Sequence, residues 1–157
     1  MSRQAVRLRA AEEGDLPVLY AYQLDAEANR LAGTRPRSEA AFRAAWERGA
    51  AGAGAVTRVI ECGGVVVGSV ACFGMEDGTD AVGYWIGREH WGKGYATRGL
   101  ALLLEEVKRR PLRADVARHN AASMRVLERC GFRLVGKRMA EETERYVAGE
   151  VWEFVLE

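Results

Sequence analysis

The chain has 157 residues, enough to build one domain around a hydrophobic core. Apolar residues make up 48% and charged residues 29%, and 23 basic against 22 acidic side chains leave a net charge of +1. That balance excludes whole-molecule attraction to nucleic acid or to an anionic membrane, so any anion recognition has to be local. No apolar run has the length of a membrane span, and Met1-Ser2-Arg3-Gln4 leads into no signal-like core. Cys62, Cys72 and Cys130 are odd in number and widely spaced, which fits reduced, packed thiols in a cytoplasm. His90 and His119 have no sequence context pairing them with a cysteine, so neither thiol catalysis nor a metal site is expected.

Val6, Leu8 and Ala10 alternate with Arg7 and Arg9, the pattern of a strand with one buried face. Gly14-Asp15-Leu16-Pro17 then reads as a helix start, with Asp15 as the cap and Pro17 where its missing N–H costs nothing. This helix is expected to run to Tyr22 or Asp25. The polar segment from Asn29 to Arg37, with Gly33 and Pro36, reads as a loop, and Ser38-Glu39-Ala40-Ala41 opens a second helix ending near Gly49. Ala50 to Ala55 alternates alanine with glycine and reads as a flexible connection.

Val56–Cys62 and Val65–Phe73 are β-branched runs joined by Gly63-Gly64, a hairpin signal. A turn at Glu76–Thr79 and a strand over Ala81–Ile86 follow. A long helix is expected from Tyr95 to Arg109, with Leu100, Leu103, Leu104 and Val107 on its apolar side and Pro111 stopping it. Then come a short strand at Leu112–Val116 and a helix over Asn120–Cys130 that Gly131 ends as a left-handed cap. Strands at Phe132–Lys137 and Val151–Leu156 complete the order, which is that of one mixed α/β domain over residues 1–157.

The run Arg88-Glu89-His90-Trp91-Gly92-Lys93-Gly94-Tyr95-Ala96-Thr97 joins a strand end to a helix start. Its glycines let the backbone approach a ligand closely, and the helix adds unpaired N–H groups with partial positive charge, which suits phosphate or pyrophosphate. Arg88 and Lys93 add charge, and Thr97 adds a hydroxyl. Two glycines before a helix also fit a tight turn with no ligand. A dinucleotide fold is a further alternative, with Asp115 as its ribose-binding acid. Against it, Thr97 stands where a third glycine or alanine belongs, and antiparallel hairpins precede the run. A nucleotide-hydrolysing loop fits less well, because Gly94 follows Lys93 in place of Ser or Thr.

A second motif, Asn120-Ala121-Ala122-Ser123-Met124-Arg125-Val126-Leu127-Glu128-Arg129-Cys130-Gly131-Phe132, lies one strand later. Together the two runs resemble the general control-related N-acetyltransferase (GNAT) superfamily. Val82-Gly83-Tyr84-Trp85-Ile86 through Thr97 is similar to its ribosomal-protein N-terminal acetyltransferase branch. The resemblance implies an α/β (α+β) fold with a mixed, mostly antiparallel sheet of six to seven strands, flanked by helices, with one parallel pair that splays apart. It implies acetyl-CoA as co-substrate and no metal. The pyrophosphate would be held by Trp91, Gly92, Lys93, Gly94, Tyr95, Ala96 and Thr97 with Arg88. Trp85 and Ile86 would face the pantetheine, and Asn120 would bond it from the other side; Asn120 is equally a helix N-cap.

Many members carry a tyrosine in this second helix that protonates the departing thiolate, and the matching position here is Leu127. Ser123, one turn earlier, is the candidate for that acid. An amine acceptor, a protein N-terminus or a small molecule, would attack the thioester directly, with a backbone N–H near Ile86 polarising its carbonyl. Glu61, Asp80, Glu89 and Glu141 are the carboxylates available as base. Tyr20, Tyr22, Trp46, Trp85 and Tyr146 are available to line the acceptor side, and the acidic stretch Glu141–Glu144 suits a basic substrate. The expected assembly is a monomer or homodimer. A non-catalytic acyl-CoA-binding module on the same fold and a nicotinamide-dependent oxidoreductase remain the alternatives.

Overall fold

Val59 and Ile60 are neighbours on one strand and point to opposite faces, yet both are fully buried, so the sheet is covered on both sides there. Val59 packs with Leu19 and Phe42, whereas Ile60 joins the main core with Leu100, Leu103 and Phe154. In this computed structural model residues 5–51 and 54–157 are described. The strands are β1 Val6–Arg9, β2 Val56–Cys62, β3 Val65–Gly74, β4 Asp80–Ile86, β5 Leu112–Ala117, β6 Arg133–Ala140 and β7 Gly149–Leu156. The helices are α1 Leu16–Gln23, α2 Ala26–Ala32, α3 Glu39–Ala51, α4 Tyr95–Glu106 and α5 Ala121–Arg129.

All seven strands form one sheet in the order β1-β2-β3-β4-β5-β7-β6, and every neighbouring pair is antiparallel except β4 with β5. This is the mixed, mostly antiparallel, helix-flanked fold expected. The parallel pair is in register only at Asp80↔Leu112 and Ala81↔Arg113. Beyond that point β4 and β5 separate, which leaves the amide and carbonyl groups along their facing edges without a ladder partner.

The helices follow the apolar periodicity of the chain. Leu100 and Leu103 of α4 are wholly buried against β1 and β3, and burying such a side chain is worth roughly 1.5–3 kcal/mol. The approach is close because residue 99 is glycine: a Cβ there would stand 2.5 Å from Ile60 Cδ1. Leu112, Leu127 and Phe154 complete this core, while α1 and α3 cover the opposite face.

Several boundaries differ from the sequence reading. Asn29–Arg37 is not wholly loop, because α2 occupies 26–32. Asp25 caps it, accepting from the Ala28 amide at 2.9 Å, and Gly33 ends it in the left-handed conformation. Asp15 does not cap α1 with its side chain. Its carboxylate instead accepts from the Glu12 amide at 2.7 Å and from Arg9 at 2.7 and 2.9 Å. Helix α4 ends at Glu106, and Val107 turns extended four residues before Pro111, its carbonyl taken by the Arg110 guanidinium at 2.8 Å. Of the expected flexible connection, Ala50 and Ala51 continue α3 and residues 52–53 lie outside the described residues, as do Met1–Gln4. No disulfide forms among the described residues; Cys72 is buried, and burial pushes the Cys72 and Cys130 thiols above their usual range. Among the described residues no helix is long and apolar enough to cross a membrane.

Candidate active site

The opening between β4 and β5 is a cleft of about 450 Å³. Tyr84, Trp85 and Ile86 of β4 form one wall, Asn120 and Ser123 at the start of α5 form the other, and the beginning of α4 closes one end. Gly92 and Gly94 there have φ of +77° and +82°, a left-handed backbone that side chains other than glycine adopt with strain. The first α4 hydrogen bond comes from the Arg98 amide to the Gly94 carbonyl, so the amides of Tyr95, Ala96 and Thr97 have no acceptor within the helix. Gly94 offers no capping side chain. Unpaired N–H groups and the positive end of a helix dipole therefore face a concavity of 92–97, a site built for phosphate oxygens.

The nest is held open by its flanks. Trp91 Nε1 donates to the Ile86 carbonyl at 2.9 Å, tying the loop back to β4. Arg98 donates to the Lys93 carbonyl at 3.1 Å while its guanidinium sits 5.2 Å from the centre of the Tyr95 ring. On the other wall Asn120 Oδ1 accepts from the Ser123 amide at 3.3 Å, so Asn120 is the N-cap of α5.

Tyr84 reaches across the cleft to Ser123. Its Oη lies 2.7 Å from Ser123 Oγ and donates to the Ser123 carbonyl at 3.0 Å in one of two arrangements. Burial pushes the Tyr84 phenol well above its ordinary 10.0, with the Ser123 hydrogen bond acting the other way, so the proton stays on. If that proton goes to Ser123 Oγ instead, the serine hydroxyl is free to donate into the cleft. Tyr84 stood inside the quoted strand motif without being singled out; alternation along β4 places it on the core face with Val82, the signal available for it.

Trp85, Ile86, Trp91, Gly92, Gly94, Tyr95, Ala96, Thr97, Asn120 and Ser123 thus meet in one cleft. Arg88 and Lys93 do not line it: Arg88 pairs with Asp25 at 3.4 Å, and Lys93 is bonded through its carbonyl by Arg98. Leu127 is wholly buried in the core, and the hydroxyl that α5 brings to the cleft is that of Ser123. Sequence reading missed the α2 wall, Ala28, Leu31 and Ala32, for want of α2 itself; the signal was Asp25 and Gly33 bracketing good helix formers. His119 Nε2 secures that wall by bonding the Arg30 carbonyl at 2.6 Å.

A second cavity, of about 1180 Å³, lies on the other face of the sheet. Arg113, Asp115 and Ala117 line it, alternating with Ala114 and Val116 in the core, and Met139–Gly149 with Thr34 closes over it. Asp115 accepts from Arg138 at 2.8 Å, and Glu153 from Arg113 at 3.0 Å. Asp115 therefore faces away from the glycine run, and the sheet around that run is antiparallel apart from one short pair, so the dinucleotide arrangement is not formed. Of the four carboxylates weighed as base, Glu61 is ion-paired to Arg7 and Arg9, Asp80 to Arg109, and Glu89 lies beside His90. Glu141 lines the second cavity. Tyr20 and Trp46 pack on Phe42, while Tyr146 lines that cavity.

These features are those of a transferase with a split sheet and an anion-binding helix start, and the comparisons agree. The chain belongs to the acetyltransferase (GNAT) domain family, whose profile matches residues 5–133. It is an acyl-CoA-dependent N-acetyltransferase. No curated protein sequence matches it significantly. Among solved structures it is similar to a ribosomal-protein-alanine N-acetyltransferase from Brucella melitensis, at 25% identity and a TM-score of 0.79 over 96% of this chain and 98% of that one. An acetyltransferase of Salmonella typhimurium that modifies the N-terminal serine of ribosomal protein L7/L12 gives 22% and 0.79 over 96% and 94%. A spermidine N-acetyltransferase from Vibrio cholerae, solved with CoA and spermine, gives 21% and 0.79 over 96% and 94%.

Proposed function

We propose that the β4–β5 cleft binds acetyl-CoA and that a primary amine entering from the second cavity attacks its thioester directly. The observation that carries this reading is the parallel pair that parts after two residues, with the nest of 92–97 at one end and the Tyr84–Ser123 hydroxyl pair inside. The pyrophosphate would rest on the amides of Tyr95, Ala96 and Thr97, and the pantetheine would take the unpaired edge of β4 as an added strand. Arg88 and Lys93 stand at the rim as long-range charge.

The amine nitrogen forms a bond to the acetyl carbon as the carbon–sulfur bond breaks. A free amine is largely protonated at neutral pH, so it gives up one proton before attack and a second as the amide forms. These leave through the solvent of the second cavity, which Glu141 lines. The thiolate takes a proton from Ser123 Oγ, and one proton returns from solvent through Tyr84, 2.7 Å away, so that both hydroxyls end protonated and one proton is released per turnover. A backbone N–H near Ile86 polarises the thioester carbonyl. Three cysteines with no disulfide among the described residues suit a cytoplasmic protein.

We place the chain in the ribosomal-protein N-terminal acetyltransferase branch on the strand motif Val82–Ile86 and Ser123. The similarity to a spermidine acetyltransferase supports a small amine equally. Calorimetry with acetyl-CoA tests the donor site: no binding at millimolar concentration overturns it. Thioester turnover with amines and N-terminal peptides tests the chemistry, and binding without any turnover would make the chain a non-catalytic module.

A further inference from the structure

The segment between β6 and β7 holds one cation, Arg145, that no carboxylate among the described residues neutralises. The Arg145 guanidinium donates to the Arg35 carbonyl at 2.5 Å and lies 5.6 Å from the centre of the Trp85 ring. The side chain is partly buried, and no carboxylate among the described residues forms an ion pair with it. Burial, followed by repulsion from Arg37, lowers its pKa to about 10. Desolvating a guanidinium without a counter-ion is costly, and proteins rarely keep one without a use for it.

Acidic residues are close enough in sequence to have served. Glu142 instead pairs with Arg35 at 2.9 Å, while Glu141 and Glu144 are exposed. The loop exposes Glu142 and Glu144 to solvent and Glu141 to the second cavity, and packs its arginine inward. Of the arginines nearby, Arg30 is matched by Glu27, Arg113 by Glu153 and Arg138 by Asp115, whereas Arg37 and Arg118 form no ion pair among the described residues.

The position is also held rigidly. The Arg35 amide donates to the Arg145 carbonyl at 2.7 Å, and the Val147 amide to the Gly33 carbonyl at 2.9 Å. Thr143 Oγ1 accepts from the Tyr146 amide at 2.9 Å. Buried Gln23 clamps both backbone groups of Arg37, at 2.8 and 3.2 Å. A charge fixed in this way loses little entropy on binding. Trp85 lines the cleft, while Thr143 and Tyr146 line the second cavity, so Arg145 packs against a residue of the cleft wall and adjoins in sequence a residue of the second cavity.

We infer that Arg145 recognises a carboxylate carried by the acceptor, so that the substrate is an amine bearing its own anionic group, as an amino acid or an acidic N-terminal peptide does, and not a polyamine. The inference rests on the acetyl-transfer reading for its placement, but not for its test. A planar guanidinium suits the two oxygens of a carboxylate.

The test uses acetylated products, whose binding is measured without turnover, on the protein with and without CoA. One arm pairs N-acetyl amino acids with their carboxamides. The other pairs C-amidated N-acetyl tetrapeptides carrying Asp or Glu with the same peptides carrying Asn or Gln. In at least one arm the carboxylate member is expected to bind about tenfold tighter, a charge-assisted pair's worth. Arg145→Gln abolishes that difference and Arg145→Lys keeps part of it, while CoA affinity is unchanged. Equal binding across every pair in both arms overturns the inference, as does a preference that survives in Arg145→Gln. Failure of acetyl-CoA to bind in a separate titration would strike the donor-site reading and leave this one standing.

Discussion

Tyr84 Oη and Ser123 Oγ are 2.7 Å apart across the mouth of the parted strands, joining a buried phenol on β4 to the first turn of α5. The pair gives the departing thiolate a donor and that donor a reserve. Ser123→Ala is expected to lower kcat about 10²-fold at saturating acetyl-CoA, and Tyr84→Phe about tenfold, with KM for acetyl-CoA little changed. Full turnover in Ser123→Ala would remove the serine from the acid role.

The same pair makes a prediction about pH. Burial holds the Tyr84 phenol above its ordinary 10.0, so it keeps its proton throughout the range in which the amine loses its own. Turnover is expected to rise with pH as neutral amine accumulates, with no descending limb below pH 10. A pH–rate profile showing an inflection that disappears in Tyr84→Phe would contradict this.

Gly94→Glu places a side chain where φ is +82° and a carboxylate against the phosphate nest. Acetyl-CoA binding by calorimetry is expected to vanish. Gly92→Ala, with open space around a Cβ but φ of +77°, is expected to weaken binding through backbone strain alone.

Arg9 draws together two carboxylates, Asp15 at 2.7 Å and Glu61 at 2.6 Å. Hydrogen bonds from Arg9 hold both below their usual values of 3.8 and 4.5. Depressed folded-state values contribute stability that is present above those ordinary values and lost as pH falls through the lowered ones. Unfolding midpoints measured from pH 7 to pH 2 should therefore fall steeply at the acid end, and Arg9→Gln should lower the neutral midpoint and flatten that fall. An unchanged acid slope in Arg9→Gln would show the carboxylates are held down by something else.

Leu127→Ala empties a wholly buried position and is expected to cost about 2–5 kcal/mol in denaturant unfolding. Any loss of turnover should follow the loss of folded protein, because Leu127 packs in the core and Ser123 is the α5 hydroxyl in the cleft.

What the sequence determined by itself was local. Period-two alternation marked the strands, the 3.6-residue apolar stripe marked α4, and glycines at 92, 94 and 131 marked backbone turns that only glycine enters freely. Those signals reside in a few consecutive residues, so they survive without coordinates. Asn120 as a cap was legible for the same reason. Helix α2 was hidden because Gly33 and Pro36 drew its whole neighbourhood into a loop, although Asp25 and Gly33 bracket it.

Tertiary structure alone decided the rest, because it depends on where distant segments meet. The parting of β4 from β5 after two residues is a relation between strands 25 residues or more apart, and no spacing within either strand encodes it. The 39-residue separation of Tyr84 and Ser123 is closed only by the sheet and α5 packing on one core. Arg145 reads in sequence as one basic residue in an acidic stretch. Folding turns Glu142 and Glu144 to solvent and packs it against Trp85, and that placement, not its identity, leaves it without an ion pair among the described residues.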